Sequence, residues 1–343
     1  MADAKHPRTA NDAIDILAWS TEMVDAPLRQ SVRRLPPVLV RVAEYHMGWS
    51  DAEGEAVLGD RGNGLRPALA LASAQAVGGD PSVAIPAAVA VELVHNFSLL
   101  HDDVMDQGRM RRHQPTAWTV FGSASAVLTG DAMLSLAGSV LASTRKPEAV
   151  ELLADCVQQM CGGHAADLAF EQREYVGTDE YDLMVVGKTG VLLGCACALG
   201  ALFAGADAHH VELFRRFGEH LGVAFQLADD LMGIWGDPAV TGRSVRSDLR
   251  NRKKSYPVVA ALSSGTSHGS DLAQLFRQRT PFRFHELDRA ADLIERAGGR
   301  DKTRARAAAE VVAALDCLAV AKCRPAGTVG LRTLAGLATS QEH

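Results

Sequence analysis

The stretch Ile85-Pro86-Ala87-Ala88-Val89-Ala90-Val91-Glu92-Leu93-Val94-His95-Asn96-Phe97-Ser98-Leu99-Leu100-His101-Asp102-Asp103-Val104-Met105-Asp106 decides how the chain is read. Its apolar residues recur at helical spacing, and the run ends in three aspartates. On a helix Asp102 and Asp106 project from the same face, one turn apart. Like charges at that spacing cost a few tenths of a kcal/mol when exposed and more when partly buried. A magnesium ion removes the conflict, because it takes one or two carboxylates and completes its shell with water and phosphate oxygens. A solvated acidic helix end is the plainer alternative. The segment that follows, Gly108-Arg109-Met110-Arg111-Arg112-His113-Gln114-Pro115-Thr116, adds arginine forks that match phosphate oxygens. Carboxylates and arginines together point to a metal-bridged phosphate rather than a bare cation.

Working outward, the same helical periodicity covers most of the 343 residues. Helices are expected from Asn11 to the interruption at Pro36-Pro37, and near Leu39–Met47, Leu65–Val77, Ile85–Met105, Ala117–Thr144, Ala149–Glu171, Tyr181–Ala206, His209–Ile234, Phe284–Ala297 and Lys302–Ala321. No run of alternating strands appears, and Gly78-Gly79-Asp80-Pro81 and Gly236-Asp237-Pro238 mark loops. The polar stretch Ser263–Asp271 reads as less ordered, and residues 1–10 read as a loose tail. Plentiful Ala, Leu, Val and Gly with only 5% aromatics suit close-packed helices. The expectation is one all-α domain over residues 1–343: a large helical bundle whose apolar central cavity takes ligands from side chains on facing helices.

A formal net charge of −6 argues against nucleic acid as the main partner. The six cysteines form no CxxC pair or zinc pattern, which points to reduced, buried thiols and a cytoplasmic setting. The N-terminus shows no signal-peptide pattern. The uncharged stretch Gly190–Ala206 is short of the ~20 residues of a membrane span and reads as a buried core helix.

Around Phe225-Gln226-Leu227-Ala228-Asp229-Asp230 the opening arrangement recurs, with a long helix running into adjacent aspartates. A basic loop follows, through Arg243 and Asp248 to Arg250-Asn251-Arg252-Lys253-Lys254. Between the clusters, Gly187-Lys188-Thr189-Gly190 places a lysine among apolar neighbours, where it needs either a partner or a route to the surface.

From about Gly62 to Pro257 these motifs, in this order, resemble the trans-isoprenyl diphosphate synthases, the polyprenyl synthetase family. Gly62-Asn63-Gly64-Leu65-Arg66-Pro67 is similar to the family's Gly-Gly-Lys-x-x-Arg-Pro element, and Asp102–Asp106 with Arg111-Arg112 to its first aspartate-rich motif. Lys188-Thr189 matches the mid-chain lysine, Phe225-Gln226-x-x-Asp229-Asp230 the second aspartate-rich motif, and Arg243, Asp248 and Lys253 the trailing basic loop. The resemblance implies the isoprenoid synthase fold and a homodimer. It implies that Asp102, Asp106 and Asp229 hold magnesium, three ions per site, bridged to an allylic diphosphate, with Asp103 and Asp230 in support. Arg111, Lys188, Arg243 and Lys253 would hold that diphosphate, with Thr189 and Gln226 beside them. Asn63, Arg66, His95 and Arg112 would hold isopentenyl diphosphate. Phe97, roughly 7 Å deeper along the helix than the first motif, would floor the cavity together with Ser98 and limit products to fifteen or twenty carbons.

The sequence departs from the family pattern in three places. Asn63 replaces the lysine that binds isopentenyl diphosphate, which weakens that site by one charge. Gly233 replaces the aspartate that closes the second motif, and Asp237 helps only if the helix ends near Gly233. Arg246 and Arg252 stand where glycines are usual, and are read as solvated charge; Arg243 replaces a lysine and keeps the charge.

Three functions are compatible with these residues: a short-chain prenyltransferase, a terpene synthase that ionises and cyclises one allylic diphosphate, and an inactive subunit. Asn63 favours the second. Arg66, His95 and Arg112 favour the first, and the intact first aspartate motif argues against the third.

Overall fold

The computed structural model describes residues 12–57, 59, 62, 64–237, 245–278, 281–323 and 325–340. Helices dominate: α1 (Asp12–Val32), α2 (Pro37–His46), α3 (Leu65–Ala76), α4 (Ile85–Met105), α5 (Ala117–Phe121), α6 (Ser123–Ala142), α7 (Pro147–Glu171), α8 (Thr178–Val185), α9 (Val191–Phe203) and α10 (Ala208–Trp235) come first. Then follow α11 (Ser247–Arg250), α12 (Tyr256–Leu262), α13 (Ser267–Arg277), α14 (Phe284–Arg296), α15 (Gly299–Val320) and α16 (Pro325–Ser340). The chain divides into two compact units, one of residues 1–157, 195–215 and 321–334, the other of residues 158–194, 216–320 and 335–343.

In the first unit, α4 buries Ala87 to Val94 without a polar face apart from Glu92, as expected of a helix surrounded on all sides. Each fully buried Val or Leu there contributes about 1.5–3 kcal/mol relative to exposure. Small residues set the spacing. A Cβ on Gly200 of α9 would fall within 3.0 Å of the Ala70 Cα on α3, so the two backbones touch. A Cβ on Gly130 of α6 would fall 2.5 Å from the His101 ring on α4. That close approach lets α6 lie along the aspartate-bearing helix.

In the second unit, one core gathers Ile234, Leu249, Val258, Leu272, Leu287 and Ile294. Another gathers Tyr181, Val185, Leu227, Tyr256 and Val259.

The all-α expectation is met, and the element boundaries differ in instructive places. Gly122, at φ 85°, breaks the expected Ala117–Thr144 helix into α5 and α6. The polar stretch Ser263–Asp271 is not loose, because Thr266 caps α13 by accepting from the Gly269 amide at 3.1 Å. Helices α12 and α16 lay outside the expected segments. Two short strands, β1 (Met110–Arg111) and β2 (Gln114–Pro115), pair antiparallel after the first aspartate motif. Between α8 and α9 the helix widens into a π turn, Val186–Gly190, which carries Lys188.

Three helical stretches, Pro81–Met105, Ser123–Ala142 and Thr178–Phe203, are long and apolar enough to cross a membrane by length and composition. Residues 190–201, within the stretch read as a core helix, are all buried. Of the cysteines, Cys156, Cys195 and Cys197 are buried, but Cys161 is exposed and Cys317 and Cys323 are half-buried, so burial describes only some of the thiols.

Candidate active site

The first aspartate motif sits at the end of α4, in the first unit. Asp102 is half-buried, Asp103 buried and Asp106 exposed, with the Asp106 amide closing the helix on the Asp102 carbonyl at 2.8 Å. Burial pushes the Asp103 carboxyl up, Arg111 draws it back, and the neighbouring Asp102 and Asp106 add to the upward push. Arg111 forks onto Asp103 through Nε at 3.0 Å and Nη2 at 2.8 Å. Its first partner within the fold is therefore the middle aspartate.

The strands place the next arginine. Arg112 and His113 form the two-residue tip between β1 and β2 at φ 50° and 63°. Such a turn normally takes Asn-Gly, and a side chain in the left-handed region costs about 1–2 kcal/mol. Its surroundings hold it: Thr116 Oγ1 and Trp118 Nε1 both donate to the Gly108 carbonyl at 2.7 Å, and the Tyr45 hydroxyl donates to Pro115 at 2.8 Å. The Arg112 guanidinium lies over Gly62, where a Cβ would fall 2.6 Å from Nη2. Gly62 also sits at φ 76°, in the left-handed region that favours glycine.

Arg66 in the first turn of α3, His95 on α4 and Arg112 lie close enough to act on one another electrostatically. Burial pulls Arg66 down to about 10; Glu92 opposes this and Arg112 adds to it. His95 is held well below the ordinary histidine range by burial, then by Arg66, Arg112, Arg111 and His46. It is therefore a neutral ring among cations. Three residues here were not foreseen: His46, Glu92, and Asn96, whose Nδ2 donates to Glu92 Oε1 at 3.0 Å. Glu92 was legible as the one acid inside the apolar run. His46 carried no signal in the sequence. Asn63 and Arg243 lie outside the described residues.

In the second unit the π turn presents Lys188, half-buried, which ion-pairs with Asp167 on α7. A Cβ on Gly163 of α7 would fall within 2.8 Å of the Lys188 Cα, and this backbone contact seats the turn. Thr189 Oγ1 donates to Gln226 Oε1 at 2.9 Å, and Gln226 Nε2 donates to Asp230 at 3.0 Å. Asp230 also accepts from the Tyr181 hydroxyl at 2.6 Å and the Tyr256 amide at 2.7 Å. Burial, then Asp248, pushes its carboxyl up to about 7 against those three donors. Asp230 thus anchors the end of α10, while Asp229 beside it is only half-buried.

At Gly233, a Cβ would fall within 2.6 Å of all three atoms of the Asp248 carboxyl group. Helix α10 ends at Trp235, two residues beyond Gly233, and Asp237 follows its end. Lys253 is half-buried and its amide donates to the Asp248 carbonyl at 2.9 Å. Arg246 and Arg252, expected to be solvated, are both clamped. Arg246 pairs with Asp288, while Arg252 lies 4.0 Å over the Phe282 ring and donates to the Phe276 carbonyl at 2.9 Å. Their φ values of 54° and 55° explain why glycine is usual at both positions.

Phe97 is buried, edge-on to His101 at 4.7 Å, with the Ser98 hydroxyl donating to the His95 carbonyl at 2.8 Å. Among the described residues no three His, Cys, Asp or Glu side chains gather closely enough to hold a metal ion alone. The donor set still fits magnesium, which needs only one or two carboxylates beside phosphate and water.

The polyprenyl synthetase family model matches residues 49–293. The (2E,6E)-farnesyl diphosphate synthase of Mycobacterium tuberculosis is 44% identical over 318 residues, 91% of this chain and 89% of its own length. The geranylgeranyl diphosphate synthase of the same organism is 42% identical over 276 residues, 79% of each chain. The solved polyprenyl synthetase from Streptomyces coelicolor A3(2) superposes with a TM-score of 0.92 at 41% identity, covering 95% of this chain and 99% of its own. With its aspartate motifs, ordered arginines and isoprenoid synthase fold, the chain belongs to the polyprenyl synthetase family and is a prenyltransferase of the polyprenyl diphosphate synthase type.

Proposed function

We propose that the protein condenses an allylic diphosphate with isopentenyl diphosphate, giving a prenyl diphosphate of fifteen or twenty carbons. The gathering of Arg66, His95 and Arg112 carries this reading, since a cyclase has no use for a second diphosphate pocket. The names of the relatives support it.

Asp102, Asp106 and Asp229 would hold magnesium, three ions per site, supplying positive charge that stabilises the departing diphosphate. On family resemblance, Arg111, Lys188, Arg243 and Lys253 would neutralise the remaining oxygens. Asp103 and Asp230 act by holding Arg111 and the end of α10 in place. Thr189 and Gln226 link the lysine turn to Asp230. As the allylic carbon–oxygen bond breaks, the electron pair leaves with diphosphate. The double bond of isopentenyl diphosphate then attacks the allylic cation, and a proton passes from the new chain to a diphosphate oxygen. Arg66, Arg112 and the neutral ring of His95 orient the attacking molecule. Phe97 and Ser98 limit its growth. A homodimer in the cytoplasm completes the proposal, on family resemblance.

The test incubates purified protein and magnesium with farnesyl or geranyl diphosphate, with and without labelled isopentenyl diphosphate. Longer diphosphates are expected only with the second substrate, and none after chelation. Hydrocarbon or alcohol from the allylic substrate alone would replace this reading with the cyclase. Asn63→Lys is expected to improve elongation.

A further inference from the structure

His46 closes helix α2 and is only 5% exposed, yet its Nε2 is buried with no hydrogen-bond partner. Leaving such a group unsatisfied carries the desolvation cost of a buried polar atom with nothing to repay it. Native proteins rarely accept that without a use for it. Its surroundings say what the use is. Arg111 and Arg112 act on its ring electrostatically, and it in turn acts on His95. Arg66, in the same cluster, also has a buried Nε with no partner. Glu92 is the acid that acts on Arg66 in this cluster, and it leaves the His46 and Arg66 nitrogens without a partner beside two further guanidinium groups, an arrangement that calls for an anionic acceptor.

We infer that His46 is a further substrate-binding residue, its Nε2–H donating to a phosphate oxygen of the isopentenyl diphosphate held by Arg66, His95 and Arg112. The inference rests on the proposed transferase reading and sharpens it. Position 63 carries an amide where the family has a lysine. His46 supplies from α2 a hydrogen bond to the same diphosphate, so part of the lost interaction is recovered without restoring the charge. The ring enters α2 at its last turn, and Tyr45 next to it bonds to Pro115 on the strand that follows Arg112. The helix end and the arginine hairpin are thereby fixed to each other.

Two variants of the full chain test this. His46→Phe keeps a ring of similar volume and removes the nitrogen, and His46→Gln keeps an N–H donor. His46→Phe is expected to raise KM for isopentenyl diphosphate about tenfold, the worth of one hydrogen bond to a charged group. KM for the allylic substrate and kcat should stay within about twofold, and His46→Gln should recover most of the loss. An unchanged isopentenyl KM in His46→Phe overturns the inference, as does a parallel rise in both KM values. The wild-type protein gives a second readout that no folding defect can obscure. The His46 ring nitrogen resonance should shift when isopentenyl diphosphate is added and stay put when an unreactive allylic diphosphate analogue is added. A ring that shifts in a protein unable to elongate would refute the transferase reading and keep the contact. Elongation with no shift would refute the contact alone.

Discussion

The Asp248 carboxyl group fills the space a side chain at position 233 would need, with all three of its atoms within 2.6 Å of a Cβ built on Gly233. Asp248, on α11, thus occupies the space beside the missing motif position and acts electrostatically on Asp230. Gly233→Asp, which restores the usual motif in sequence, should damage the protein. Overpacking of this kind costs about 1–3 kcal/mol, and a carboxylate against Asp248 adds repulsion. Urea unfolding should show the loss, and turnover should fall. A variant as stable as wild type and more active would show that the space is open.

Arg111 and Asp103 form a bidentate pair whose acid is 6% exposed. Arg111→Met leaves that carboxylate buried without its partner. Breaking a fully buried pair costs ~3–5 kcal/mol; with the arginine about a third exposed, ~2 kcal/mol is expected. Asp103→Asn should cost less, because it removes the buried charge. Reversal of that order in denaturation experiments would mean Arg111 is held by something other than Asp103.

Lys188 reaches its place through Asp167, so the two should act as one unit. A double-mutant cycle of Lys188→Gln and Asp167→Asn, read on kcat/KM for the allylic substrate, should be non-additive by about 1–2 kcal/mol. Strict additivity would separate the lysine's role from its partner.

Phe97 lies in the core between α4 and α6, against His101 and near Gly130. Phe97→Ala should lose about 3–5 kcal/mol of stability and release products longer than twenty carbons, visible by chromatography of the dephosphorylated alcohols. An unchanged product distribution would make it a core phenylalanine and nothing more.

His46 titrates far below its ordinary value, pushed from 6.5 to about 3 by burial, then by Arg111 and Arg112. Its folded form stays neutral while the unfolded chain takes up a proton below 6.5, so stability present above 6.5 is lost as the pH falls towards 3. The slope contributed is up to about 1.4 kcal/mol per pH unit. Replacing His46 with Phe should flatten the loss between about pH 7.5 and about pH 5.5 by roughly that amount, measured by urea unfolding.

Much of this was legible in the sequence. Helical periodicity and the two acidic helix ends located α4 and α10, and the ordered motifs gathered Arg66, His95 and Arg112. What escaped depends on backbone conformation and on contacts distant in sequence. Arg246 and Arg252 read as surface charge because no local pattern announces a left-handed residue or a partner on α13 or α14. Asp248 read as part of a basic loop, because only folding brings it against Gly233. The polar run before α13 hid a helix whose start is set by one threonine side chain.

The π turn at Val186–Gly190 is in effect one residue inserted into an otherwise continuous helix from Thr178 to Phe203. Segments of this kind tolerate exchange of residues far better than a change in their number. Deleting a single residue here would let the helix relax to ordinary α winding and rotate everything on one side of the deletion by about 100° relative to the other. The lysine would then turn away from Asp167, or Thr189 from Gln226. Length in this short segment is thus under tighter constraint than composition, and related chains should vary here by substitution and not by gaps.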